Sequence, residues 1–248
     1  MENIETVVSR SLTQKDLRQP SSEGFRGEDI GELENQIVRS LSEITDPTTG
    51  AIRTVRQSFS HRLAEAPAQL VVALALRLVS HAVVPRFVAY ELILYHRQAL
   101  GSLKAKSLED LGAGNNSWGE VDAFACYLTG PAWREGQVSD ALIRRWATSR
   151  DRWWRRTALV STVPLNSKAR GGSGDTARTL TICEMLVADR DEMVVKALSW
   201  ALRELSKRDP GSVRKFLRKH KDVLAPRIIR EVNSKLQTGL KNPRKQRA

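Results

Sequence analysis

Trp118 and Asp122 are four residues apart in the stretch Asn116-Ser117-Trp118-Gly119-Glu120-Val121-Asp122. On a helix that spacing stacks an aromatic plane and a carboxylate on one face, about one turn apart. A core-facing helix has little use for a carboxylate there. Ser117 can cap the helix, with Glu120 three residues later to complete a capping box, so Asp122 is not needed as a cap. An aromatic and an acid presented together suit a cation, or a transition state that becomes cationic. A second tryptophan, Trp200, follows in Val195-Lys196-Ala197-Leu198-Ser199-Trp200. Each feature also has a plain structural explanation. A buried tryptophan beside a solvated or salt-bridged aspartate is common in helices, and Trp200 shares its helix with Val194, Ala197, Leu198, Ala201 and Leu205, which read as core. Arg155 and Arg156 likewise fit a solvated face.

The other reactive residues form no second centre. Cys126 and Cys183 lie in apolar helical patterns and read as small core residues of a reduced, cytoplasmic protein. His61, His81, His96 and His220 are scattered, and no His/Cys/Asp/Glu group has metal-ligand spacing. No metal and no other cofactor is expected. The N-terminus lacks the apolar core of a signal peptide. The longest apolar run, Leu70 to Leu76, is too short to span a bilayer, so no membrane role is expected.

The formal net charge is +12, and it is unevenly placed. Residues 196–248 hold 16 Lys and Arg against 4 Asp and Glu, whereas residues 1–195 hold 24 of each. The whole excess therefore sits in the C-terminal quarter. Such a balance implies a polyanionic partner, and its one-sidedness favours a phosphate-binding face over a merely solvated one.

The elements that must position these residues are helices. Ile30, Leu33, Ile37, Leu41 and Ile44 recur at three- and four-residue steps, and similar patterns run from Ala51 to Leu63 and from Pro67 to Val79. A fourth helix is expected from Pro85 to about Ala99, and a short one from Leu103 to Leu111. The turn Gly112–Asn116 then delivers the helix of Trp118 and Asp122, which Gly130-Pro131 should close. Further helices are expected over Val138–Ala147, Asp151–Val160, Asp175–Val187, Glu192–Lys207, Pro210–His220 and Ala225–Leu236. Pro164–Gly174 reads as a loop. No stretch alternates as a strand does. The fold class is all-α, an α-solenoid of HEAT-like antiparallel helix pairs of roughly 35–45 residues each, with a concave face suited to a nucleic-acid duplex. Residues 1–28 read as a flexible tail, with a helix possible over Ser9–Lys15. Residues 29–238 are the repeat domain, and residues 239–248 a basic, disordered tail.

The segment from Ser117 to about Phe216 resembles the AlkD family of bacterial DNA alkylation repair glycosylases. Three patterns carry the resemblance: Trp118-Gly119-Glu120-Val121-Asp122, then Trp153-Trp154-Arg155-Arg156-Thr157-Ala158, then Lys196-Ala197-Leu198-Ser199-Trp200-Ala201-Leu202-Arg203-Glu204. Their order and intervals match the family's. The family's DNA-facing aromatic of the first repeat has no counterpart between Ile30 and Ile44. The resemblance implies a monofunctional, monomeric DNA glycosylase that hydrolyses the N-glycosidic bond of cationic purines such as N3-methyladenine and N7-methylguanine in duplex DNA. It implies Asp122 as catalytic carboxylate, Trp118 and Trp200 flanking the deoxyribose, and Arg156 at the DNA backbone. Arg155, Lys196, Arg203, Lys207, Arg214, Lys215 and Arg218 complete the expected DNA-binding set. Two other readings remain: a non-catalytic protein that binds damaged or branched DNA, and a helical scaffold for an acidic protein. The placement of the C-terminal cations relative to Trp118 and Trp200 discriminates among them.

Overall fold

Apolar residues at helical spacing close almost every expected segment into a helix. The computed structural model describes residues 30–242. The tail expected over residues 1–28, and residues 243–248, lie outside the described residues. The helices are α1 (Ile30–Ser42), α2 (Thr49–Arg62), α3 (Ala68–Val79), α4 (Arg86–Leu94), α5 (Arg97–Ser102), α6 (Ala105–Gly112), α7 (Trp118–Phe124) and α8 (Gly130–Arg134). There follow α9 (Asp140–Ala147), α10 (Arg152–Val160), α11 (Val163–Asn166), α12 (Thr176–Met185), α13 (Glu192–Leu205), α14 (Pro210–Lys219) and α15 (Pro226–Thr238). Among the described residues there is no strand. No helix there is long and apolar enough to cross a membrane.

The helices stack in two layers. α2, α4, α7, α10, α13 and α15 pack on one another in that order. Behind α2, α4, α7, α10 and α13 stand α1, α3, α6, α9 and α12, each the helix of the preceding segment. This is the expected all-α series of antiparallel pairs. Each pair buries one apolar stripe against its neighbours, so a single core runs the length of the stack, through Leu74, Val88, Leu128, Leu159, Leu198 and Val232. Trp133 and Trp146 are in it. Of the adjacent pair, Trp154 stacks on Trp146 with centroids 4.8 Å apart, and Trp153 lies under the Arg152 guanidinium. Burial pushes the Cys126 thiol up to about 12 and raises that of Cys183, which leaves both inert.

Three expected boundaries are corrected. The helix begun at Pro85 does not run to Ala99. His96 takes an extended conformation, its Nδ1 accepts from the Ala99 amide, and its Nε2 donates to the Ala66 carbonyl, which starts α5 afresh. Gly130-Pro131 does not close the Trp118 helix either. The chain passes through a π-helical turn over Ala125–Thr129, and α8 continues from it. Pro131 stands at the second residue of α8, directly after the π-helical turn, where the hydrogen-bond ladder changes register. Gly130 is required by close approach, since a Cβ there would lie 2.6 Å from the Pro164 ring and 2.9 Å from the Ser161 carbonyl. Finally, the Pro164–Gly174 segment is half structure. α11 is buried through Asn166, whose amide donates to the Thr162 carbonyl and Thr179 hydroxyl and accepts from the Asp175 amide.

Candidate active site

The start of α7 is fixed by its caps. The Ser117 hydroxyl accepts from the Glu120 amide, and the Glu120 carboxylate accepts from the Asn116 amide, one residue earlier than in a standard capping box. Asn115 anchors the turn before it, accepting from the Arg86 guanidinium at 2.7 Å and the Tyr90 hydroxyl at 2.8 Å. Val121 and Phe124 enter the core. The opposite face therefore presents Trp118, which is 62% exposed, and Asp122.

Asp122 is held by Arg156 of α10. Nε donates to Oδ1 at 2.9 Å and Nη2 to Oδ2 at 2.8 Å, a bidentate pair, and Nη1 donates to the Met193 carbonyl of α13 at 2.5 Å. One guanidinium thus ties three successive helices of the inner layer together. The Arg156 side chain is only 6% exposed and that of Asp122 is 19% exposed. Burial holds the Asp122 carboxyl above its ordinary value, and the Arg156 hydrogen bonds, with the charges of Arg156 and Arg170, oppose that rise. The guanidinium is committed to orienting the carboxylate. This differs from the solvated face its sequence also allowed.

An open cleft of about 250 Å³ lies along α7, α10 and α13, lined by Trp118, Arg156, Met193, Lys196, Trp200, Arg203 and Lys241. Met193, Lys196, Trp200 and Arg203 recur at three- and four-residue steps, so they form one stripe of α13. Val194, Ala197, Leu198 and Ala201 on its other side are buried. Trp200 is half-buried against the core and still faces the cleft.

The cleft brings together Trp118, Trp200, Arg156, Lys196 and Arg203 of the expected set, with Asp122 joined to it through Arg156. The other expected cations lie elsewhere. Arg155 is an internal clamp: Nε donates to Asp189 at 2.7 Å, and Nη1 donates to the carbonyls of Ser149 and Arg150. Lys207 pairs with Glu204 at 2.8 Å. Arg214 and Arg218 line a separate groove between α14 and α15, over Leu217 and Ile229, and Lys215 is exposed on α14 outside both. The C-terminal charge is therefore divided between the tryptophan cleft and a second surface.

Sequence reasoning missed the group that organises the cationic wall. Glu231 of α15 is 3% exposed. It accepts from the Ser199 hydroxyl at 2.7 Å and lies 3.9 Å from Arg203, 3.2 Å from Arg227 and 3.5 Å from Lys241. Burial alone would raise its carboxyl. The Ser199 hydrogen bond and the charges of Lys241, Arg203 and Arg227 together outweigh that and hold it below the ordinary glutamate value. Lys241 was assigned to the C-terminal tail. Instead α15 is capped by Gly239, at φ +72°, and the chain folds back so that Lys241 reaches both Glu231 and the cleft. One signal was available: Glu231 is among the four acids of a quarter otherwise rich in cations. No set of three His, Cys, Asp or Glu side chains converges as metal ligands among the described residues.

Residues 44–236 match the family model described as DNA alkylation repair enzyme, a span that contains the three motifs and every cleft residue except Lys241. No curated protein matches the chain.

Proposed function

The chain belongs to the DNA alkylation repair enzyme family, and from that premise we propose that it is a monofunctional glycosylase for cationic alkylpurines in duplex DNA. The observation that carries the proposal is the bidentate Asp122–Arg156 pair beside a cleft walled by two tryptophans and by Lys196, Arg203 and Lys241. A fixed carboxylate beside a cleft walled by indoles suits a sugar that becomes cationic.

The chemistry follows from the leaving group. The bond from C1′ to the purine nitrogen breaks with both electrons going to the base, whose fixed positive charge they neutralise. No acid is then needed to protonate it. The deoxyribose is left oxocarbenium-like, and the faces of Trp118 and Trp200 with the Asp122 carboxylate offset its charge. Water bonds to C1′, and its proton passes to the carboxylate or to solvent. No lysine attacks the sugar, so no strand cleavage accompanies release. Lys196 and Arg203 contact the flanking phosphates, with Arg214, Lys215 and Arg218 along a more distant stretch of backbone. The cleft is open to solvent, which suits contact with the lesion's backbone.

The test is release of N3-methyladenine or N7-methylguanine from methylated duplex DNA by the parent and by Asp122→Asn, with duplex binding measured alongside. Release by the parent alone, with binding retained in both, is the expected result. Binding without release in either would make this a non-catalytic protein of damaged DNA. Neither release nor binding would leave a helical scaffold.

A further inference from the structure

Tyr127 follows Asp122 in the chain, in the π-helical turn beyond α7. Arg170 lies over it, its guanidinium carbon 5.6 Å from the ring centroid. Neither residue lines the tryptophan cleft. Among the described residues the Arg170 guanidinium has no hydrogen-bond acceptor and no ion-pair partner. Asp122 accepts from Arg156 through both oxygens and makes no hydrogen bond or ion pair with Arg170. A guanidinium stacked on an aromatic ring keeps its N–H edge free, and that edge matches two oxygens of a phosphodiester.

The loop that presents Arg170 is built with care. Arg134 donates to the Arg170 carbonyl at 2.6 Å, and Arg208 donates to the carbonyls of Asn166 at 2.8 Å and Gly172 at 2.7 Å. Gly171 holds φ +78°, and a Cβ on Gly172 would meet the Pro164 carbonyl at 2.3 Å. Two arginines and two glycines thus fix the backbone on either side of one half-buried cation. A loop that only connected α11 to α12 would need none of this.

We infer that Arg170, stacked on Tyr127, is a second phosphodiester-binding position, beyond Asp122 from the Lys196–Arg203–Lys241 wall. Duplex backbone then crosses Asp122 with a cation on each side, which centres one sugar over the carboxylate. The charge of Arg170 also acts on Asp122, drawing its carboxyl down. This inference rests on the DNA reading of the cleft.

The experiment is binding of undamaged fluorescent duplex, across a salt series, by the parent, Arg170→Gln and Arg170→Lys. Arg170→Gln should lower the slope of log K against log salt by about 0.9, the loss of one phosphate contact. Arg170→Lys should keep the slope and lose only part of the affinity. A thermal melt of each variant reports whether its fold is kept, and Arg170→Lys serves as the folded control if Arg170→Gln melts early. A parental slope in Arg170→Gln would overturn the inference while leaving the DNA reading intact. So would a parental slope with a displaced acid limb of base release, which would make Arg170 a positioning residue for Asp122. No salt-dependent binding by the parent would overturn both readings.

Discussion

Arg156→Met removes one charge and leaves the other. Methionine fills much of the arginine's volume, so the loss is chiefly electrostatic. Two hydrogen bonds to Asp122, at 2.9 and 2.8 Å, and one to the Met193 carbonyl disappear. Removing one partner of a buried ion pair costs about 3–5 kcal/mol. Asp122 keeps 19% exposure, so water can partly resolvate it, and the lower end, about 3 kcal/mol, applies. In a domain of this size that corresponds to a fall in Tm of about 6–12 °C. The loss also carries a pH signature. The Asp122 carboxyl is already above its ordinary value through burial, and without Arg156 it must rise further. A group raised in the fold favours its protonated form, so ionisation costs stability. The gap between variant and parent should be small below the ordinary aspartate range. It should widen as pH climbs through the raised value, and stay level above it. The assay is thermal unfolding of parent, Arg156→Met and Arg156→Met/Asp122→Asn between pH 4 and 8. The double variant should recover about 2 kcal/mol, since no unpaired charge remains. A deficit independent of pH and unrelieved by the second substitution would refute the view that Arg156 acts by neutralising Asp122.

Glu231→Gln should cost about 2 kcal/mol at neutral pH, by leaving Arg203, Arg227 and Lys241 without their shared acid. Because the Glu231 carboxyl is held below its ordinary value, its contribution is present above that range and lost as pH falls through the depressed value. The gap in denaturant midpoint should therefore close at acid pH, and a constant gap would contradict the assignment. Gly130→Ala should destabilise despite a gain of about 1 kcal/mol in helix propensity. The added methyl meets the Ser161 backbone at 2.9 Å, which cannot move aside freely, and such overpacking costs about 1–3 kcal/mol. A variant that unfolds at higher denaturant than the parent would show that the α8–α11 contact yields.

Periodicity was enough for the all-α class and for most helix positions, because burial of an apolar stripe is a local property written every three or four residues. The spacing of Trp118 and Asp122 likewise placed that pair on one helical face, and the family resemblance ordered it before the Lys196–Trp200 stretch. Where local signals misled, a contact distant in sequence had overruled them. Gly130-Pro131 looked like a stop, yet the glycine serves a crossing with Ser161 and Pro164, and the π-helical turn carries the chain onward. His96 broke a helix to reach Ala66. Only the tertiary structure decided which cations serve the cleft. Arg155 and Arg156 are neighbours in the chain, yet one clamps Asp189 and the other locks Asp122. Arg203 and Lys241 join the tryptophans, whereas Arg214 and Arg218 line another groove. Charge counted along a chain has no direction, because a long side chain takes its partner from whichever element the fold brings within reach. That partner, through burial and hydrogen bonding, then sets whether the charge stays in the framework or faces the ligand.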